Sequence, residues 1–246
     1  MPPILAHYTK IETLIEHILP SKKLKLSKLT ELNDPLENRW KYDHISYQGW
    51  KAPPEHCWEA LKQEYQNLAN CIKVCCFSAE NTQKPNAQIY KKMRMWAQYA
   101  QNHKGVCILF DKEKLILKAD QQEKLLHAGD VIYHEKLPIP TFSLEEDDFK
   151  KNYQENYQEK IFQYLKTLPY ETIFAKTNDW GDEDEFRIAA YSKAEETEFI
   201  DIENCISQII LGLETPSIYK DLIKAICPDV EIRNLTHNML GIELST

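Results

Sequence analysis

Three short runs constrain this fold most: 72–78 (Ile-Lys-Val-Cys-Cys-Phe-Ser), 105–110 (Gly-Val-Cys-Ile-Leu-Phe) and 186–191 (Phe-Arg-Ile-Ala-Ala-Tyr). Each is largely apolar and has the length of a strand, and 72–78 reads as a buried one. Further strands are expected at 4–9, 22–28, 131–134, 172–175, 199–202, 206–212, 230–233 and 239–244. Helices are expected at 55–70, 89–102, 144–168 and 217–226. One more helix should follow the first strand, with Thr9 and Glu12 forming a capping box and Ile11, Leu14, Ile15, Ile18 and Leu19 on its apolar stripe. Strands do not alternate regularly with crossover helices, which points to an α+β class over a doubly wound parallel sheet.

No repeat, low-complexity tract or Gly/Ser linker divides the 246 residues, so a single domain over 1–246 is expected. It carries an insertion or lid at 40–70, aromatic and irregular at its start, and a helical insertion at 143–168. No apolar run is long enough to span a bilayer, and the first residues lack the basic and apolar regions of a signal peptide. Cytoplasm is the expected compartment. The seven cysteines include no Cys-x-x-Cys pair, so free buried thiols in a reducing compartment explain them better than a zinc site.

A second group of constraints is exclusionary. The six glycines are all isolated, which rules out a Walker loop and a Gly-x-Gly-x-x-Gly turn. A nucleotide would therefore have to be held by side chains and ordinary loops. The net charge of −8 argues against broad capture of nucleic acid, although Lys22, Lys23, Lys25 and Lys28, with Lys91, Lys92 and Arg94, would suit a phosphate-bearing ligand if they lined one cleft.

The most chemically suggestive stretch is 179–188, Asp-Trp-Gly-Asp-Glu-Asp-Glu-Phe-Arg-Ile. If a strand begins at Glu183, period-two geometry puts Glu183, Glu185 and Arg187 on one face. Such a pair of carboxylates reads either as a solvated acidic turn entering an edge strand or as catalytic groups displayed at a strand tip. His7, followed by Tyr8, Thr9 and a helix start, reads either as a structural histidine or as part of a ligand site. Asn33-Asp34-Pro35 is a turn signal that either simply turns the chain or presents Asn33, Asp34 and Glu37 to a pocket. Trp96 and Tyr99 read as core anchors.

Taken in order, His7-Tyr8-Thr9, Asn33-Asp34-Pro35 with Glu37, Cys76-Phe77-Ser78, Trp96 and Tyr99 ahead of Gly105-Val106-Cys107-Ile108, then Trp180, Glu183, Glu185 and Arg187 resemble the bacterial family known as domain of unknown function 2971. That family name carries no activity. More distantly, a histidine in the first strand, a polar position in the second and Glu-x-Glu at a later strand resemble the ADP-ribosyltransferase superfamily. This resemblance implies a mixed, mostly antiparallel split sheet flanked by helices. It implies NAD as a substrate, cleaved at the nicotinamide–ribose bond with transfer of ADP-ribose to an acceptor. By position, His7 would hold the adenosine ribose, Ser27 or Tyr8 would support the nicotinamide side, Glu185 would be the key acid and Glu183 would orient the acceptor. Thr9, Asn33, Asp34 and Arg187 would complete the nucleotide site. This chain has no clear Ser-Thr-Ser or Tyr motif in its second strand. A toxin or phage-defence role follows only by analogy.

Other classes remain open on the sequence. The acceptor could be water, which makes the activity an NAD glycohydrolase. The chain could bind a nucleotide or partner without catalysis, or work inside a defence complex. A metal hydrolase built on His7 and His103 lacks any His-x-x-x-His spacing, and no metal is expected.

Overall fold

A computed structural model describes residues 3–36, 46–48, 63, 66, 67, 69–80, 88–122, 124–137, 141–143, 173–238 and 241–245. The expected lid at 40–70 and helical insertion at 143–168 fall largely outside these residues, as does Glu37. The strands run β1 (Ile4–Thr9), β2 (Lys23–Lys25), β3 (Ser27–Lys28), β4 (Ser46–Gln48), β5 (Ile72–Ala79), β6 (Val106–Asp111), β7 (Leu125–Asp130) and β8 (Ile132–His134). They continue as β9 (Thr141–Ser143), β10 (Ala175–Thr177), β11 (Glu185–Tyr191), β12 (Phe199–Asp201), β13 (Ile206–Leu211), β14 (Glu231–Asn238) and β15 (Gly241–Ser245).

Nine of these strands form one sheet in the order β15-β14-β13-β6-β1-β5-β11-β7, with β3 beside β5. Within it β13–β14 is parallel and the other pairings are antiparallel. The expected α+β class with a mixed, mostly antiparallel sheet is therefore what the chain adopts. The three apolar runs lie in its middle, β5 beside β11 and β6 separated from them by β1, because strands buried on both faces can be apolar throughout.

Two packed layers cover the faces. On one, Leu5, Phe77, Ile108, Phe110, Phe186 and Ile188 pack against Ile11, Leu14 and Ile18 and against Leu115 of the helix Lys112–Asp120. On the other, Ala6, Tyr8, Cys107 and Leu109 meet Trp96 of the helix Met93–Tyr99. Tyr8 meets Trp96 edge-on, with ring centroids 5.2 Å apart.

Several local expectations are corrected. Thr9 is not a cap: its backbone stays in β1, opposite Val106, and Lys10 precedes the helix without a side-chain cap. The first helical run contains a π turn at Leu14–Ile18 and passes through Pro20 to Ser21, then Lys22 reverses the chain in the left-handed region. The helix Lys112–Asp120 and strand β7 were not anticipated, although Asp111 accepts from the backbone N of Lys114 as a regular N-cap. Six described cysteines are free. No helix among the described residues is long and apolar enough to cross a membrane.

Gly105 allows the chain after helix Met93–Tyr99 to close onto the end of β1. A Cβ there would sit 2.3 Å from the Thr9 carbonyl oxygen, whereas one at Gly181 would meet nothing within 4 Å. Gly105→Ala should therefore cost about 1–3 kcal/mol by overpacking, and Gly181→Ala should stay within about 0.5 kcal/mol of the parent. Denaturant midpoints of the two variants check this.

Candidate functional site

β1 pairs with β6 along all of its length, but with β5 only through Leu5↔Ala79 and Ala6↔Ser78. Past Ala6 the two central strands part. His7 bridges the opening, its Nδ1 lying 3.0 Å from the carbonyl oxygen of Cys76. A carbonyl only accepts, so Nδ1 carries the proton and Nε2 keeps its lone pair. Burial lowers the pKa of the ring, so it is neutral near pH 7.

A cleft of about 240 Å³ opens at this parting. Consecutive residues Ala6, His7 and Tyr8 line it, as do Val74, Cys75, Cys76, Phe77 and Ser78. Neighbours on a strand point to opposite faces, so the cleft runs past the strand edges. Ser27 and Lys25 line one side, Asn33, Met95 and Tyr99 another, and Lys176, Glu183 and Glu185 the third.

The acidic pair is brought together by a different route from the one expected. Glu183 ends a 3-10 segment, Asn178–Glu183, and Asp184 takes a left-handed conformation (φ 44°) before β11 starts at Glu185. The turn is pinned by its backbone: the Glu183 carbonyl accepts from Ser78 Oγ and Lys92 Nζ, both at 2.8 Å, and the Asp184 carbonyl accepts from the Ala79 N at 2.7 Å. β11 lies between β5 and β7, so it is not an edge strand. Glu183 and Glu185 are 3 % and 4 % exposed, which removes the solvated-turn reading.

Lys176 of β10 joins the two carboxylates, 2.7 Å from Glu183 Oε2 and 2.8 Å from Glu185 Oε2. Arg187 follows the period-two expectation and grips Glu185 twice, through Nε at 2.6 Å and a terminal nitrogen at 3.1 Å. Its other terminal nitrogen donates to the Ile173 carbonyl at 2.6 Å. From Glu183 the network runs outward: Tyr99 donates to its Oε1 at 2.8 Å and accepts from the Asn33 amide at 2.7 Å. Burial alone would push the Glu185 carboxyl up, but Arg187 and then Lys176 outweigh it and hold it at about 2. Burial moves the thiol of Cys75 up to about 12 and that of Cys76 well above its ordinary value, so neither is a nucleophile at neutral pH.

The cleft thus gathers His7, Tyr8, Ser27, Asn33, Glu183 and Glu185. Tyr8 commits its hydroxyl to the Ile89 carbonyl at 2.7 Å. Thr9, Asp34 and Arg187 do not line the cleft. Asp34 is 1 % exposed and caps its own turn through the Leu36 N, while Arg187 is fully buried and acts on Glu185. The two lysine groups do not share the cleft either: Lys25 reaches it, Lys22 pairs with Glu203, and Lys92 pairs with Asp184. His103 does not line the cleft; its ring stacks on Trp96. Lys176 and Tyr99 were missed as site residues. A lysine directly after the buried run 173–175 was the available signal for the first; Tyr99 was read as a core anchor.

Because the folded pKa of Glu185 is depressed, its ion pairing stabilises the protein above the ordinary value of 4.5, and that contribution is lost as pH falls towards about 2. Arg187→Met should cost about 3 kcal/mol or more at neutral pH by leaving Glu185 underpaired. The gap from the parent should narrow below about pH 4.5. Urea unfolding across a pH series reads both effects.

No curated protein and no solved structure matches the chain. The family whose model matches, over residues 95–188, is described as "Protein of unknown function (DUF2971)". The match supports the first of the two resemblances read from the sequence and does not extend to the ADP-ribosyltransferases. The matched segment carries Tyr99, Lys176, Glu183, Glu185 and Arg187, so the charged wall of the cleft lies within the part of this chain that is similar to the DUF2971 family.

Proposed function

We propose that the cleft binds NAD and cleaves its nicotinamide–ribose bond, transferring ADP-ribose to an acceptor. The observation that supports this reading is the convergence of His7, Ser27, Glu183 and Glu185 on one opening between two central strands. Cleavage of the C1′–N bond sends the electron pair to nicotinamide and leaves an oxocarbenium-like ribosyl group, as in glycoside hydrolysis. A carboxylate ionised down to about pH 2 cannot serve as a general acid. It is, however, a fixed negative charge, and such a charge favours the transition state over the ground state. That role falls to Glu185. Neutral His7 offers Nε2 as an acceptor to a ribose hydroxyl, and Ser27 and Asn33 offer polar contacts to the base. Glu183 takes the proton of the attacking acceptor hydroxyl, amine or water as the new bond to C1′ forms.

A second reading is favoured by the saturation of Glu185, whose two oxygens already receive Arg187 and Lys176. Under it the cleft binds a nucleotide without turning it over. Chromatographic detection of nicotinamide release, alongside calorimetric titration of NAD, separates the two. Glu185→Gln, assayed well below its melting transition, should lose about 10²–10³-fold in turnover while binding NAD within a few-fold of the parent. Parent-like turnover in that variant would remove Glu185 from the chemistry. Binding without turnover in the parent selects the second reading, and absence of NAD binding overturns the first.

A further inference from the structure

Lys28 of β3 and Lys73 of β5 stand directly opposite each other in the sheet. Like charges at opposed positions repel, and a sheet ordinarily avoids them. Lys73 is also 1 % exposed. Its Nζ donates to the carbonyls of Asn70 at 2.7 Å and Ala194 at 3.1 Å, and no carboxylate of the described residues pairs with it. An ammonium has three N–H donors, so one is left over. Burial lowers its pKa, and the charge of Lys28 lowers it further. A buried cation held only by carbonyls is costly unless an anion answers it.

Both lysines line a second cavity of about 200 Å³. It shares Lys25, Ser27 and Glu31 with the main cleft, so the two spaces adjoin across Ser27. Three carboxylates also reach its wall. Glu31 lies 3.5 Å from Lys28, and Glu196 shares Lys124 with Glu198, at 3.1 and 2.6 Å. Three lysines thus meet three glutamates on this wall, and the donor still unanswered among the described residues is that of the buried Lys73.

We propose that this second cavity is an anion subsite that takes a phosphoryl group. A phosphoryl group presents three strong acceptor oxygens, enough to answer Lys28, Lys73 and Lys25 together, with the Ser27 hydroxyl as a further donor. A planar carboxylate offers only two. The group arrives either as free phosphate or as the phosphoryl of a ligand lying across Ser27 in the main cleft. The subsite rests on its own geometry and does not require NAD cleavage.

Calorimetric titration of the full chain with inorganic phosphate, adenosine 5′-monophosphate and adenosine tests the proposal. Phosphate or the monophosphate should bind, and Lys73→Met and Lys28→Met should each weaken that binding about tenfold or more. Lys104→Met, at an exposed turn, should leave it unchanged. Lys28 is partly exposed, so its variant keeps the test decisive if Lys73→Met fails to fold. Monophosphate binding tighter than both phosphate and adenosine, and competitive with phosphate, assigns the group to a ligand shared with the cleft. Phosphate binding as tightly as the monophosphate assigns it to the free anion. The proposal is overturned if neither titrates, or if folded Lys28→Met and Lys73→Met bind as the parent does.

Discussion

The structure depends on a buried cluster of four charges, Lys176, Glu183, Glu185 and Arg187, each 4 % exposed or less. Two cations and two anions cancel. Taking any one of them out of water is expensive, and the expense is offset only when every partner is in place. The cluster is therefore cooperative by construction. Lys176 comes from β10, outside the main sheet, and Arg187 also holds the Ile173 carbonyl just before β10. One set of contacts thus fastens the small β8–β10 pair to the start of β11 and fixes where β11 enters the sheet.

That anchoring determines the shape of the cleft. Ser78 and Ala79 at the end of β5 bond the carbonyls of Glu183 and Asp184, so the acidic turn is held against β5. Meanwhile β1 leaves β5 after two register pairs and stays with β6. The opening between β1 and β5 is a consequence of these two attachments, and the His7 imidazole closes one end of it. The sheet remains a single nine-stranded sheet; it is loosened at this joint and not divided into two. The carboxylate that faces the cleft is thereby both ionised and immobile. A preorganised charge of this kind spends no reorganisation energy when positive charge develops beside it. The same saturation limits how freely it can meet a ligand.

The sheet was legible where local patterning and burial agree. The runs at 72–78, 105–110 and 186–191 became β5, β6 and β11 to within a residue or two, because an apolar strand has nowhere stable to go except a sheet centre. The pairing of Arg187 with Glu185 was legible for the same reason, since period two holds inside a strand. Glu183 was placed wrongly in detail, because the left-handed Asp184 breaks that period. The Thr9–Glu12 capping box failed because the β1–β6 ladder reached Thr9 first, and tertiary pairing outweighs a local side-chain bond.

Local patterning was enough to mark the strand segments, to exclude a glycine-rich phosphate loop and to pair Glu185 with Arg187 on one face of β11. That Lys176 neutralises both glutamates, that Lys28 and Lys73 oppose each other and that β1 and β5 part beside His7 came from long-range packing. Periodicity acts between near neighbours along the chain. Those contacts join residues far apart in sequence or on separate strands, and their positions follow from sheet order and register, which no local pattern encodes.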